Sequence, residues 1–491
     1  MLWNRISERR PARVRGVLPW ALCTLAAVFV AVAGWIRFRF GRVSFEQIIT
    51  NLPISGGEGV GNNSLLIEVL LACLVVPVAL TTLGAGGLWL LRRRRERRPR
   101  TVRRTLVVPA LAMAVALGVL LTVAGVPQFA VAMLDARTIA DYYQRPTVTS
   151  APAHPRNLIT IYLESTENTF ADESVFGENL LENLQDATAG WADYPLQQYP
   201  TGGWTMAGIV GTQCAIPLKS KLLVAGTNSN TLGEQVERYL PGTTCLGDVL
   251  AAQGYTNAFL GGAHTRFAGK DTFLFDHGYT SVQGLADWEA DGEDREDISV
   301  WGLSDTRLFA RATAELTELR EAGEPFNLTI LTMDTHEPAG VFPSCTTDDE
   351  VAMATALKCS GRAVAGFLED LKDGGYLDDT VVVLMGDHLK DTANGGDFGT
   401  LLADRDDRTI FFRVWSPDGV RFLREGADQL SVLATLLELL GFTLPDGQAG
   451  LGVSFAGVHD LSWTALALPS DEYRTLMGAP SSAIYQEFWQ S

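Results

Sequence analysis

The chain has 491 residues, 47% of them apolar and 20% charged, and carries a net charge of -18. Its length exceeds one ordinary domain, and its composition excludes a disordered chain. The acidity argues against nucleic acid as a partner, because such binding begins by neutralising phosphates.

Three apolar runs come first, at residues 17–36, 65–91 and 106–134. Each suffices for a membrane-spanning helix, which needs about 20 residues. Arg9, Arg10, Arg13 and Arg15 precede the first run, but no small-residue cleavage site follows it, so it reads as a retained helix and not a signal peptide. A dense arginine block from Arg92 to Arg104 joins the second and third runs. Positive segments stay in the cytoplasm. The 37–64 loop is therefore expected outside, and everything after about Asp135 is expected to be extracytoplasmic. This predicts a membrane anchor over 1–135, a proline-bearing linker over 136–156 and a catalytic domain over 157–491.

In that last segment strands and helices alternate. Apolar runs at 158–163, 326–333, 381–385 and 409–414 read as buried strands, and 257–260 is strand-like. Helices are expected at 245–253, at 304–321 with Ser304 as N-cap, at 352–371 ending at Gly374 and Gly375, and at 429–440. This alternation predicts an α/β domain with a largely parallel central sheet between helices. Ligands in such folds bind beyond the carboxyl ends of the strands. Those ends carry Glu164, Ser165 and Thr166, then Asp334, Thr335 and His336, then Asp387 and His388. Carboxylates plus imidazole suit a hard-to-borderline divalent metal.

Cys23 and Cys73 lie in apolar runs, whereas Cys214, Cys245, Cys345 and Cys359 lie in the large domain. Four cysteines in an oxidising compartment fit two disulfides. Chain proximity suggests Cys214 with Cys245 and Cys345 with Cys359, among three connectivities.

Longer motifs sharpen the picture. They are Asn157-Leu-Ile-Thr-Ile-Tyr-Leu-Glu-Ser165, Thr205-Met-Ala-Gly-Ile-Val-Gly-Thr-Gln-Cys-Ala-Ile-Pro217, Arg266-Phe-Ala-Gly-Lys-Asp271, Cys245-Leu-Gly-Asp248, Trp301-Gly302, Asp334-Thr-His336 and Asp387-His-Leu389, with Ser44-Phe-Glu-Gln-Ile48 nearer the N-terminus. With these the chain resembles the membrane-bound branch of the alkaline phosphatase/sulfatase superfamily. Within it the chain is most similar to the phosphoglycerol transferase I family, which decorates osmoregulated periplasmic glucans. Lipoteichoic acid synthases and phosphoethanolamine transferases share the metal residues but fewer of the other motifs.

The resemblance implies roles. Glu164, Asp387 and His388 would bind one divalent metal, Mn2+ or Mg2+ with Zn2+ as a further candidate. Thr205 would be the nucleophile and a fourth metal contact. Lys270 and His336 would hold the donor's phosphate and headgroup, with Arg266 and Trp301 as further substrate contacts. The implied donor is phosphatidylglycerol, the acceptor an envelope glycan, and the place the bacterial inner membrane with a periplasmic catalytic domain. A metal is the chemical partner that a threonine nucleophile needs, because an unactivated hydroxyl is weak at neutral pH. A sulfatase would instead need Cys-x-Pro-x-Arg. The nearest stretch, Cys214-Ala-Ile-Pro-Leu-Lys219, has the wrong spacing and a lysine, so sulfate-ester chemistry is set aside. The competing readings are teichoic-acid-type synthesis, phosphoethanolamine transfer, phosphatidylglycerol hydrolysis and a non-catalytic sensor.

Overall fold

A computed structural model of the protein describes residues 14–40, 45, 48, 67–93, 102–134, 138–219, 236–345, 347, 349–392, 396–403, 405–479 and 483–490. Most of the loop expected at 37–64, with its Ser44-to-Ile48 motif, and residues 94–101 of the arginine block lie outside them. Two compact units are present, one helical and near the N-terminus, the other running from Ala132 to Ser491 with a short piece of the earlier chain.

The first unit holds three helices long and apolar enough to cross a membrane, Val17–Phe38, Ile67–Leu90 and Leu106–Val123. The third apolar run is shorter as a helix than its composition predicts. Gly125 turns left-handed (φ 71°) and a separate helix, Val126–Leu134, follows. Pro127 explains the stop: its ring lacks the N–H and crowds the preceding turn. In the second run the turn Leu70–Val75 is π-helical, just before Pro77. A widened turn is one way a helix accommodates a proline's missing donor.

The second unit is built on a seven-stranded sheet. Its strands are β1 (Asn157–Leu163), β2 (Ala192–Asp193), β3 (Thr256–Gly261), β4 (Ser281–Gln283), β5 (Phe326–Leu331), β6 (Thr380–Gly386) and β7 (Phe412–Trp415). Their order is β2-β7-β6-β1-β5-β3-β4. The five strands from β6 to β4 run parallel, while β7 and β2 add antiparallel pairings at one edge. The fourth expected strand therefore starts later than its apolar run and runs against its neighbour. Residue 410, inside that run, makes only isolated bridges to Glu167 and Leu196.

The continuous apolar runs follow from burial on both faces. Leu158 and Tyr162 of β1 join one core cluster, and Ile159, Ile161 and Leu163 join the other. Helices Thr205–Cys214, Leu246–Ala252 and Val432–Leu439 pack into the first cluster, and Asp305–Ala322 and Ala352–Asp373 into the second. Ser304 caps its helix by accepting from the Arg307 amide, as its position suggests. The helix expected from residue 429 begins as a 3-10 turn, Gln429–Ser431. Residues 138–156 are fastened to this unit: Ile139 is buried, and Gln144 and Ser150 form bridges to Gly450 and Thr443. Cys214 is bonded to Cys245, and Cys345 to Cys359.

Candidate metal and phosphoryl-transfer site

Sheet register does the first part of the assembly. Leu163 pairs with Gly386, so the residues that follow them, Glu164 and Asp387, emerge side by side. Close packing does the rest. A Cβ on Gly386 would meet the Thr166 carbonyl oxygen at 2.0 Å, and a Cβ on Gly208 would meet the Asp387 carbonyl oxygen at 2.0 Å. Only glycine at these positions lets the loop after β1 and the helix Thr205–Cys214 approach the Asp387 backbone so closely. Thr205 is the first residue of that helix, and its Oγ1 donates to Glu164 Oε2 at 3.2 Å.

Ser165 adopts φ 51°, a left-handed conformation unusual for a side-chain-bearing residue. Its amide donates to Asp387 Oδ1 (2.7 Å) and its hydroxyl to Glu164 Oε1 (2.7 Å). The Glu164 amide donates to Thr332 Oγ1 (2.9 Å), and the Glu164 carbonyl accepts from Thr335 (2.6 Å). Gln429 Nε2 donates to the Asp387 carbonyl (2.7 Å).

Glu164, Asp387 and His388 form a buried group whose ligand-capable atoms all lie within 4.8 Å of one another. Two observations show that the donor set fits a cation. Asp387 Oδ2 is buried and has no hydrogen-bond partner, an expensive state for a carboxylate oxygen. His388 Nδ1 lies 2.8 Å from the Leu389 carbonyl, which can only accept. That nitrogen carries the hydrogen, and Nε2, 3.5 Å from Asp387 Oδ2 and 3.7 Å from Glu164 Oε1, is left with a lone pair. Burial and the adjacent Glu164 charge push Asp387 up to about 7. Burial alone would raise Glu164 too, but His388 and His336 outweigh it and hold that carboxyl below its ordinary value. Burial also opposes charge on His388, yet Asp387 and Glu164 overcome this and raise it. Two carboxylates and an imidazole crowded together call for a positive charge, which a divalent ion supplies.

A second group of ligand-type residues, Cys245, Asp248 and His277, is spent internally. Cys245 is in a disulfide, while His277 meets Asp248 Oδ2 at 2.7 Å and the Tyr239 carbonyl at 3.0 Å.

The residues expected to meet substrate are less uniformly placed. Lys270 is buried at the start of helix Lys270–Asp276. Burial lowers its ammonium to about 8, against the opposing pull of Glu164 and Asp387, so it lies within electrostatic reach of the metal group. His336 is half-buried and influences Glu164 in the same way. Its Nδ1 donates to the Glu337 carbonyl at 3.0 Å, and its ring packs on Trp301 with centroids 4.0 Å apart. Arg266 is exposed and belongs to no ion pair among the described residues. Thr332, Gln198 and Gln429 carry no chemical signature in the sequence, yet they build the site alongside Ser165, Thr335 and Gly208, which lie at the strand ends or in the motifs. Gln198 Oε1 accepts from the Leu389 amide at 2.8 Å, steadying the carbonyl that fixes the His388 tautomer.

Residues 220–442 match the sulfatase family model. The chain is 33% identical over 317 residues to phosphoglycerol transferase I of Xanthomonas axonopodis pv. citri, a match covering 62% of this chain and 43% of that protein. It is likewise 33% identical over 381 residues to phosphoglycerol transferase I of Xanthomonas campestris pv. campestris, covering 75% and 52%. The matches thus take in about half the length of these curated relatives. Among solved structures, a protein in the alkaline phosphatase superfamily from Vibrio parahaemolyticus superposes with a TM-score of 0.50 at 21% identity, covering 69% of this chain and 78% of that one. Cys214, which heads the stretch nearest to a sulfatase-type core, is tied up in a disulfide with Cys245. The chain thus has the alkaline phosphatase fold, is similar to the sulfatase family over residues 220–442, and carries three helices apolar and long enough to cross a membrane.

Proposed function

We propose that the protein is a membrane-anchored, metal-dependent phosphoglycerol transferase that moves glycerol phosphate from phosphatidylglycerol to an envelope glycan. The observation that carries this reading is the Thr205 hydroxyl, 3.2 Å from Glu164 Oε2, a member of the buried Glu164, Asp387 and His388 group. The names of the relatives at 31–34% identity support the choice of glycerol phosphate as the group moved.

Glu164, Asp387, His388 and Thr205 would hold one divalent ion, Mn2+ or Mg2+ by donor chemistry, with Zn2+ also compatible. When bound, the ion lowers the hydroxyl pKa of Thr205 and offsets charge on the phosphoryl oxygens. Thr205 Oγ1 attacks phosphorus as its proton departs along the hydrogen bond to Glu164. The bond to the diacylglycerol oxygen breaks, and phosphoglyceryl-Thr205 remains. His336, protonated on both nitrogens, gives its Nε2 proton to the leaving oxygen. In the second step it recovers a proton from the acceptor hydroxyl, whose oxygen displaces Thr205, and the Thr205 oxygen takes back its own proton along the hydrogen bond to Glu164. Lys270 and the first amides of helix Thr205–Cys214 hold the phosphate. Trp301 and Arg266 border the headgroup.

Anchoring raises the effective concentration of donor at the site. The placement of the arginines favours a cytoplasmic-membrane protein with its catalytic domain outside, and the disulfides fit that compartment. Full-length protein in vesicles with fluorescent phosphatidylglycerol and Mn2+ tests the reading. Diacylglycerol and a glycerol-phosphate adduct on Thr205 are expected, both lost with a chelator. An ethanolamine-phosphate adduct in mixed vesicles, or no diacylglycerol at all, overturns it. Release of glycerol phosphate to water despite added glycan marks a hydrolase instead.

A further inference from the structure

Behind the site runs a chain of charged groups that the proposed reaction does not use. Arg408 grips Glu167 through Nε at 2.9 and 3.1 Å and through Nη2. Glu167 Oε2 accepts the Lys390 amide at 3.1 Å, and Arg408 also donates to the Lys390 carbonyl. The Lys390 side chain, 4% exposed, ends in an ion pair with Glu337. Glu337 also accepts from the Asp397 amide at 3.4 Å, and its carbonyl is the acceptor for His336 Nδ1.

This chain joins three loops. Glu167 follows β1, Glu337 follows β5, and Lys390 follows β6 two residues after His388. A lysine this buried is unusual. Buried ion pairs contribute little net stability against a well-packed apolar replacement, so stability alone is a weak reason for one. Fixing geometry is a better one. Among the described residues, the His336 imidazole has two orienting contacts, the Glu337 carbonyl and the Trp301 ring. Glu337 in turn is held by Lys390.

We propose that Lys390 is a positioning residue for His336. Through its ion pair with Glu337 it fixes the carbonyl that takes the Nδ1 hydrogen, so that Nε2 is the nitrogen that serves the leaving oxygen. The inference rests on the proton-donating role given to His336 above. It implies that loss of the ion pair weakens protonation of the leaving group while sparing attack by Thr205.

The experiment compares two donors with full-length protein in vesicles. One is phosphatidylglycerol, whose alkoxide leaving group needs a proton. The other is the p-nitrophenyl ester of glycerol phosphate, whose leaving group does not. Lys390→Met and Glu337→Gln are each expected to slow turnover of the lipid at least about tenfold and of the aryl ester less than about threefold. His336→Ala should show the same pattern, and His336→Ala/Lys390→Met should be no slower than His336→Ala alone. Equal losses on both donors, or a further loss in the double variant, would mean a merely structural pair and overturn the proposal. Glu337→Gln preserves side-chain shape and stands in if Lys390→Met does not fold.

Nitrogen-15 imidazole spectra of the chain's six histidines give a second readout without turnover. At a pH where the imidazole is neutral, His336 is expected as the Nδ1–H tautomer in the wild type and as a mixture in Glu337→Gln. An unchanged tautomer sinks the proposal. If wild type leaves phosphatidylglycerol intact, the proposed reaction fails while these spectra still decide the positioning role.

Discussion

The two halves of the site are built to different standards. On the metal side, Glu164 and Asp387 are tied by backbone and side-chain hydrogen bonds from Ser165, Thr332, Thr335 and Gln429, and by glycine contacts that leave no room for a methyl group. On the substrate side, Lys270 is held by burial and by attraction to Glu164 and Asp387, the His336 imidazole by one hydrogen bond and one ring contact, and Arg266 is exposed. On the proposed function, the difference follows from what each half would hold. Metal–ligand distances tolerate only small errors, so ligands need supporting contacts. A charged headgroup is attracted over several ångströms, and a less restrained cation serves it adequately.

The largest test of this contrast is Thr205→Ala. Transfer should fall by about 10^3-fold or more, because the attacking oxygen is gone, with the melting temperature nearly unchanged. Residual turnover near wild type would remove Thr205 from the chemistry.

Gln429→Ala probes the supported half without touching a ligand. It strips the donor from the Asp387 carbonyl and the acceptor from the Tyr199 amide. Metal affinity, followed by calorimetry, should drop about 10–100-fold. An unchanged affinity would show that the surrounding contacts suffice.

On the other half, Lys270→Met should raise KM about tenfold through loss of a charge-assisted contact, with a smaller effect on kcat. Arg266→Ala should change either constant less than about threefold, as expected of an exposed charge. Steady-state kinetics in vesicles distinguishes the two. If Arg266 proved the stronger, the buried lysine would not be the main phosphate contact.

A smaller effect concerns pH. Asp428 is buried beside Gln429, accepts from the Tyr473 hydroxyl, and is pushed up to about 6 by burial. Its folded value exceeds the unfolded one, so the folded state binds more protons between about pH 4 and 6. This group's contribution is therefore fully present below that window and is lost as pH rises through it. Asp428→Asn should flatten that part of the stability curve in thermal melts. An identical slope would mean Asp428 titrates normally.

Much of the fold was legible because its signals are local. Apolar length identified the membrane-type helices, and continuous Val/Ile/Leu runs identified strands covered on both faces. Chemical type at strand ends, read with the family motifs, pointed to Glu164, Asp387 and His388, which the fold brings together, and to Thr205, which lies against Glu164. Composition overran where single residues decided the outcome: Gly125 and Pro127 ended the third helix, and residues 409–411 stayed outside β7. What only the tertiary structure decided is the set of contacts between segments far apart in the chain. Gly208 and Asp387 are 179 residues apart, yet their close approach places Thr205 beside Glu164. Gln429, Glu167 and Lys390 have no local pattern to betray them, because their partners lie on other loops. Residue type and period are written along the chain, whereas hydrogen-bond partnership arises only when the sheet brings its strand ends together.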